Sequence, residues 1–231
     1  MAEAPADPAR LDAARLDAAR RAVDLVRSGM VLGLGTGATA SAAVREIGRR
    51  LADGRLSDIT GVPTSNATRE LARETGVPLT DLAAHPRVDL AIDGADEVDP
   101  AGNLIKGLGG ALLNEKLVAV NARRLVIVVD ETKLVRQLGE RVPLPIEVVP
   151  FGWTTHLDFL RGLGATPKLR TAGGEDTPFV TDGGHYIVDA RFPGGIPDPH
   201  MLAEVLARRP GIVETGLFLG MALEVLVGRG T

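Results

Sequence analysis

The chain of 231 residues contains no cysteine. Disulfides, thiol nucleophiles and thiolate metal sites are therefore excluded. Aromatic residues make up only 3% of the sequence, so stacking platforms for bases are not expected and the core must rest on Val, Leu, Ile and Ala. The formal net charge is −4, which argues against a broad nucleic-acid surface but leaves room for a local basic pocket around a small anion. The four histidines (His85, His156, His185 and His200) are scattered with no metal-type spacing and read as surface or loop residues. No apolar run approaches the ~20 residues of a membrane helix. The opening stretch MAEAPADPARLDAARLDAAR has no apolar signal core, so the expected compartment is the cytoplasm and no membrane partner is expected.

What remains is an ordinary globular composition, 45% apolar and 24% charged, at a length that suits one large domain or a main domain with a smaller one. Residues 1–7 read as a disordered tail. A helix follows from Asp7 to Ser28, stopped by Gly29, and it carries a tandem RLDAA at Arg10–Ala14 and Arg15–Ala19. Short apolar strands then alternate with helices: strand 30–34, helix 38–51, strand 58–62, helix 66–74, a short strand 77–82, strand 88–92, helix 110–120 and strand 124–129. Continuous apolar runs such as Val88–Ile92 mark strands buried on both faces. The pattern predicts an α/β fold with a doubly wound, mostly parallel sheet. Near Gly139 it changes. The proline-bracketed RVPLPIEVVP leads into strand 146–149, helix 153–163, strands 165–170 and 186–192, helix 199–208 and strand 212–217. This β-α-β-β-α-β order is that of a ferredoxin-like α+β unit. The predicted organisation is a Rossmann-like catalytic domain over 1–138 and 218–231, with a small α+β domain over 139–217 inserted near the C-terminus and engaged in oligomer contacts. The final MALEVLVG is expected to rejoin the first sheet.

Two glycine-rich turns carry the chemistry. GLGTGATA (Gly33–Ala40) joins a strand to a helix, where backbone amides and the helix dipole favour an anion. It also matches the dinucleotide pattern G-x-G-x-x-A at Gly33, Gly35 and Ala38. That reading needs an acid closing the second strand, but the strand runs into Pro63, Thr64, Ser65 and Asn66, and Asp53 precedes it. Hydroxyls and amides suit a sugar phosphate better. The second motif is VDLAIDGADEVDPAGNLIKGLGGALLNEK, from Val88 to Lys116. Asp93, Asp96, Glu97 and Asp99 crowd what reads as one acidic turn, which could cap itself or hold a divalent cation. Lys106 precedes GLGG and brings a point charge to an anion site. Glu115 falls on the second turn of the following helix beside Ala111 and Leu112. Burial there raises a carboxyl pKa toward the range of a general base. The phosphate-binding Walker pattern is absent.

In order, GLGTGATA, PTSNAT, DGADEVDP, KGLGGALLNEK, DETK and PLPIEVVP resemble ribose-5-phosphate isomerase of the A type, from about Ala22 to Gly228. The resemblance implies interconversion of D-ribose 5-phosphate and D-ribulose 5-phosphate without metal or cofactor, in the non-oxidative pentose phosphate branch. It implies Glu115 as the base moving a proton between C1 and C2 through an enediolate. Asp93, with Asp96 nearby, would assist ring opening and proton traffic, and Lys106 would stabilise developing negative charge. Gly35, Thr36, Gly37, Ala38 and Thr39 would hold the phosphate. Gly94, Ala95, Gly107, Gly109, Gly110 and Lys133 would complete the substrate contacts. A homodimer or homotetramer is implied by the same resemblance. The chain departs from the family's usual pattern at Ala38, Leu108 and Asn114. A non-catalytic sugar-phosphate sensor and a nicotinamide-dependent dehydrogenase are the competing readings, and the first lacks a basic helix-turn-helix before Met30.

Overall fold

The computed structural model describes residues 7–174, 177–222 and 224–230. The tail expected over 1–7 lies outside these residues except for Asp7. The Asp7 carboxylate accepts from the Ala9 amide at 3.1 Å and caps helix α1 (Pro8–Val23), whose first residue is the proline such a position favours. The chain divides into two compact units, one holding residues up to Gly94, Val118–Lys133 and Ala222 onward, the other Ala95–Leu117 and Leu134–Met221.

The first unit is built on five parallel strands: β1 (Val31–Leu34), β2 (Thr60–Pro63), β3 (Leu90–Asp93), β6 (Leu125–Val129) and β12 (Glu224–Val227). Their order is β12-β6-β3-β1-β2, so the last strand does rejoin the first sheet, beside β6. Strands β3 and β6 are buried at every residue, as continuous apolar runs require. The side-chain period of two sends Leu32 and Leu34, Leu90 and Ile92, and Val126 and Val128 into one core. Helices α1, α2 (Ala38–Ala52) and α3 (Asn66–Glu74) pack against it and add Ala18, Val23, Val44, Ile47 and Leu71. The RLDAA tandem has a structural purpose here. It places Ala14, Ala18 and Ala19 on the buried face of α1, which Ala22 continues just beyond it, and small residues let the helix approach closely.

Three expectations are corrected. Helix α1 ends at Val23 rather than Ser28, because Leu25 and Val26 tighten onto the Ala22 and Val23 carbonyls in a turn. The strand expected over 77–82 is reduced to one bridge between Gly61 and Leu79. His156 is not a surface residue: it is 2% exposed.

The second unit holds two antiparallel sheets. In one, β7 (Leu144–Val148), β8 (Thr166–Leu169), β9 (Tyr186–Arg191) and β10 (Ile212–Thr215) run in the order β10-β7-β9-β8. With α5 (Thr155–Gly162) and α6 (Pro199–Ala207) they follow the β-α-β-β-α-β order expected from the sequence. Their core gathers Leu144, Ile146, Val148, Leu160, Val188 and Leu206. The other sheet, β11-β5-β4, joins β4 (Glu97–Val98), β5 (Leu104–Ile105) and β11 (Leu217–Phe218), and it was not foreseen. Strands of two residues carry too little periodicity to be read. Helix α4 (Leu112–Val120) begins in this unit, and the short 3₁₀ turn Glu131–Lys133 follows β6.

Candidate active site

In the first unit the turn after β1 wraps the end of β3. Asp93 closes β3 and is 4% exposed. Its Oδ1 accepts from the Thr36 amide at 3.1 Å and the Gly94 amide at 2.7 Å. This contact requires glycine at 35, since a Cβ there would lie 2.2 Å from the same oxygen. The Thr36 hydroxyl lies 2.8 Å from that of Thr64, 2.9 Å from that of Ser65 and 3.1 Å from that of Thr68. The PTSNAT segment therefore lashes the loop from inside, and Ser65 also caps α3 by accepting from the Thr68 amide. The expectation for Thr36 is accordingly refined: its hydroxyl is spent on the scaffold.

Gly37 and Ala38 are exposed, so this part of the loop offers backbone with little side chain over it. Gly37 is the N-cap of α2 and provides no side-chain cap, and the first helical bond runs from the Ser41 amide to the Gly37 carbonyl. The amides of Ala38, Thr39 and Ala40 precede that bond, at the positive end of the helix dipole. That is an anion-binding geometry. No acid closes β2, and Asp53 follows α2, where it pairs with Arg55 at 2.8 Å. In DETK, Asp130 is 1% exposed and takes the Thr132 amide at 3.0 Å and Arg15 of the second RLDAA copy at 3.2 Å. Lys133, half-buried, ends the 3₁₀ turn.

The second unit carries the other expected groups. Glu97 and Asp99 do not share one acidic turn with Asp93 and Asp96. Glu97 lies in β4, fully buried, and accepts from the amides of Gly139, Arg141 (2.6 Å) and Val142 (2.9 Å). Asp99 folds its own turn by accepting from Ala101 and Asn103. Asp96 accepts from the Leu108 amide at 2.9 Å and so ties the second glycine turn to the start of β4. Because this bond uses backbone, the departure to Leu at 108 leaves it intact. Among the described residues no group of three or more His, Asp or Glu is placed to hold a metal ion.

Lys106 follows β5 and is 3% exposed; Glu115 on α4 is 5% exposed. Lys106 Nζ stands 3.4 Å from Glu115 Oε2. A carboxylate and an ammonium withdrawn from water in this way interact with little screening, set against the cost of desolvating both. Sequence reading missed the groups that hold them. Arg170 donates to the carbonyls of Gly107 (2.9 Å) and Leu108 (3.0 Å) while pairing with Asp189, and it lies 5.8 Å from the Phe179 ring. Lys116, next to Glu115, donates to Glu214 and to the Thr215 carbonyl, each at 2.7 Å. Burial holds its pKa below the usual lysine value, opposed by Glu214. No local signal marks these pairs, since Lys116 and Glu214 are 98 residues apart.

The parallel sheet of the first unit and the antiparallel sheets of the second define a mixed α/β protein. Residues 60–231 match the family model for ribose 5-phosphate isomerase A (phosphoriboisomerase A). Ribose-5-phosphate isomerase A of Roseiflexus castenholzii is 54% identical over 90% of this chain and 88% of its own length. That of Deinococcus radiodurans is 51% identical over 90% of each chain. Among solved structures, ribose 5-phosphate isomerase from Plasmodium falciparum superposes with a TM-score of 0.90 at 40% identity, covering 94% of both chains. A D-ribose-5-phosphate isomerase in complex with phospho-erythronic acid superposes at 0.92 with 41% identity, covering 94% of this chain and 95% of that one. The chain belongs to the ribose 5-phosphate isomerase A family.

Proposed function

We propose that the chain interconverts D-ribose 5-phosphate and D-ribulose 5-phosphate through an enediolate, with Glu115 as the base. Family membership supports the substrate, and the observation that carries the base is the buried Lys106–Glu115 pair at 3.4 Å. In the aldose-to-ketose direction Glu115 takes the proton from C2 of the open-chain sugar. The C2–H electrons form the C1=C2 bond, and the carbonyl electrons move onto O1. The Lys106 ammonium stabilises that oxygen, and preorganised charge of this kind contributes several kcal/mol. Glu115 returns the proton to C1 as the carbonyl re-forms at C2. Asp93, with Asp96, assists ring opening and the exchange of protons among O1, O2 and O5. The amides of the turn Gly35–Thr39 hold the phosphate, with Ala38 contributing backbone alone. Gly94, Ala95, Gly107, Gly109, Gly110 and Lys133 complete the substrate contacts. No metal or cofactor enters this scheme.

The reaction belongs to the non-oxidative pentose phosphate branch, in the cytoplasm, and the active form is a homodimer or homotetramer. The small α+β region over 139–217 makes the contacts between copies, which size-exclusion chromatography of interface variants tests. Two measurements test the chemistry. Conversion of ribose 5-phosphate is expected to persist in EDTA. Glu115→Gln is expected to keep sugar-phosphate binding while kcat falls on the order of 10²–10⁴-fold; near-normal turnover removes Glu115 as the base.

A further inference from the structure

Phe218 is a fully buried aromatic side chain in a chain with few of them. Strand β11 carries it beside β5, with Phe218 opposite Leu104 and Leu217 opposite Ile105. Lys106 Nζ lies 5.4 Å from the centre of its ring and Lys116 Nζ lies 4.8 Å from the same centre. Aromatic rings attract cations within about 6 Å, more strongly when both are desolvated. Here two ammonium groups share one ring. Each has a carboxylate beyond it: Glu115 at 3.4 Å from Lys106 and Glu214 at 2.7 Å from Lys116. The backbone fixes the same arrangement. The Lys106 amide donates to the Gly216 carbonyl at 2.9 Å, and a Cβ at 216 would lie 2.2 Å from the Lys106 carbonyl oxygen. One segment, Glu214–Phe218, thus binds Lys116 by its carboxylate and carbonyl, and Lys106 by its backbone and its ring.

We propose that Phe218 and Lys116 are positioning residues for the isomerisation: the ring fixes the Lys106 ammonium, and the Lys116 charge behind it sets the potential at Lys106 and Glu115. The inference rests on the reading of Glu115 and Lys106 as the proton-transfer pair. A second cation nearby makes Lys106 release its proton more readily and favours the ionised form of Glu115. It also favours the anionic oxygen of the enediolate. Charged groups around Lys116 include Glu214 from β10, Lys106 at the same ring and Glu115 on its own helix. Glu147 stands opposite Glu214 in the β7–β10 register, with its Oε1 taken by the Thr181 hydroxyl at 2.9 Å and by His185 at 3.0 Å. Beside the Phe218 ring, Lys116 meets Glu214 and the Thr215 carbonyl directly, so its own charge is the variable to remove.

The test is the pH profile of kcat/KM, which reports the essential groups of the free enzyme. In Lys116→Met both limbs are expected to move up by about half a pH unit or more, since both Glu115 and Lys106 then bind their protons more tightly. Lys116→Arg keeps the charge and is expected to hold both limbs at their wild-type positions. Phe218→Leu keeps apolar volume and is expected to fold. It should lower kcat roughly ten-fold with little change in KM, because Lys106 acts on charge that develops in the transition state. Wild-type limbs in a folded Lys116→Met protein overturn the inference. If that variant does not fold, an unchanged kcat in Phe218→Leu overturns it alone. Should Glu115→Gln abolish turnover while these profiles stay put, the inference falls and the base assignment stands.

Discussion

The turn after β1 is held by the parallel sheet around it: Asp93 takes the Thr36 amide, and the hydroxyls of Thr64, Ser65 and Thr68 surround that of Thr36. The turn after β5 is held by charged side chains, the Asp96 carboxylate just before β4 and Arg170 just after β8, 63 residues beyond Gly107. Both present glycine-rich backbone, yet the first is fixed by close packing with no slack and the second by charged side chains that reach in. A tightly packed loop transmits a small steric insult directly, whereas a loop tied by long side chains can partly adapt when one tie is cut.

The sharpest way to break this comparison is Gly35→Ala. Its Cβ would meet the Asp93 backbone at 2.6 Å as well as the carboxylate, so the strand end itself must move. A displacement near 1 Å is expected to cost on the order of 100-fold in kcat/KM, measured by steady-state kinetics on a variant whose fold is checked by circular dichroism. Wild-type kinetics would show that the first turn has slack after all. Arg170→Met should cost less, roughly ten-fold in kcat/KM, because Asp96 still ties the loop. Arg170→Lys should not restore it, since a single ammonium cannot hold Asp189 and two carbonyls in the same fork. Full recovery by lysine would mean that charge alone suffices. The smallest effect is expected for Thr36→Val. It strips one hydroxyl from a cluster of four, costs about 1–3 kcal/mol of stability, and lowers Tm by a few degrees in a thermal melt, with phosphate-ligand affinity little changed. A large loss of affinity would return the Thr36 hydroxyl to the phosphate site.

Range along the chain governs what the sequence disclosed. Strands β1, β3 and β6 are legible because each is a continuous apolar run, and α3 because Ser65 and a helical pattern bound it locally. The β-α-β-β-α-β order of the later segment is legible for the same reason. The buried placement of Glu115 follows from its apolar helical neighbours, and Lys106 from its position before the glycines. The rest depends on contacts between distant positions. The two-residue strand β11 exists because residues 217–218 find 104–105, and β4 and β5 pair with each other over two residues, too few to show a period. Glu97 reads as one more acid in a loop until three amides from residues 139–142 are seen around it. Phe218, Lys116 and Arg170 have unremarkable sequence neighbours, and their meaning lies in partners that no short-range pattern encodes.

Glu115 and Lys116 are adjacent on α4, and helical geometry turns successive side chains by about 100°. One consequence is that their order along the chain cannot be reversed. A helix written Lys-Glu at these positions would set an ammonium against Lys106 and a carboxylate against Glu214, so that both contacts became repulsions while composition, net charge and helix propensity stayed the same. The phase of this helix is thus written twice, by two opposite charges looking in different directions, and a slip of one residue is opposed from both sides.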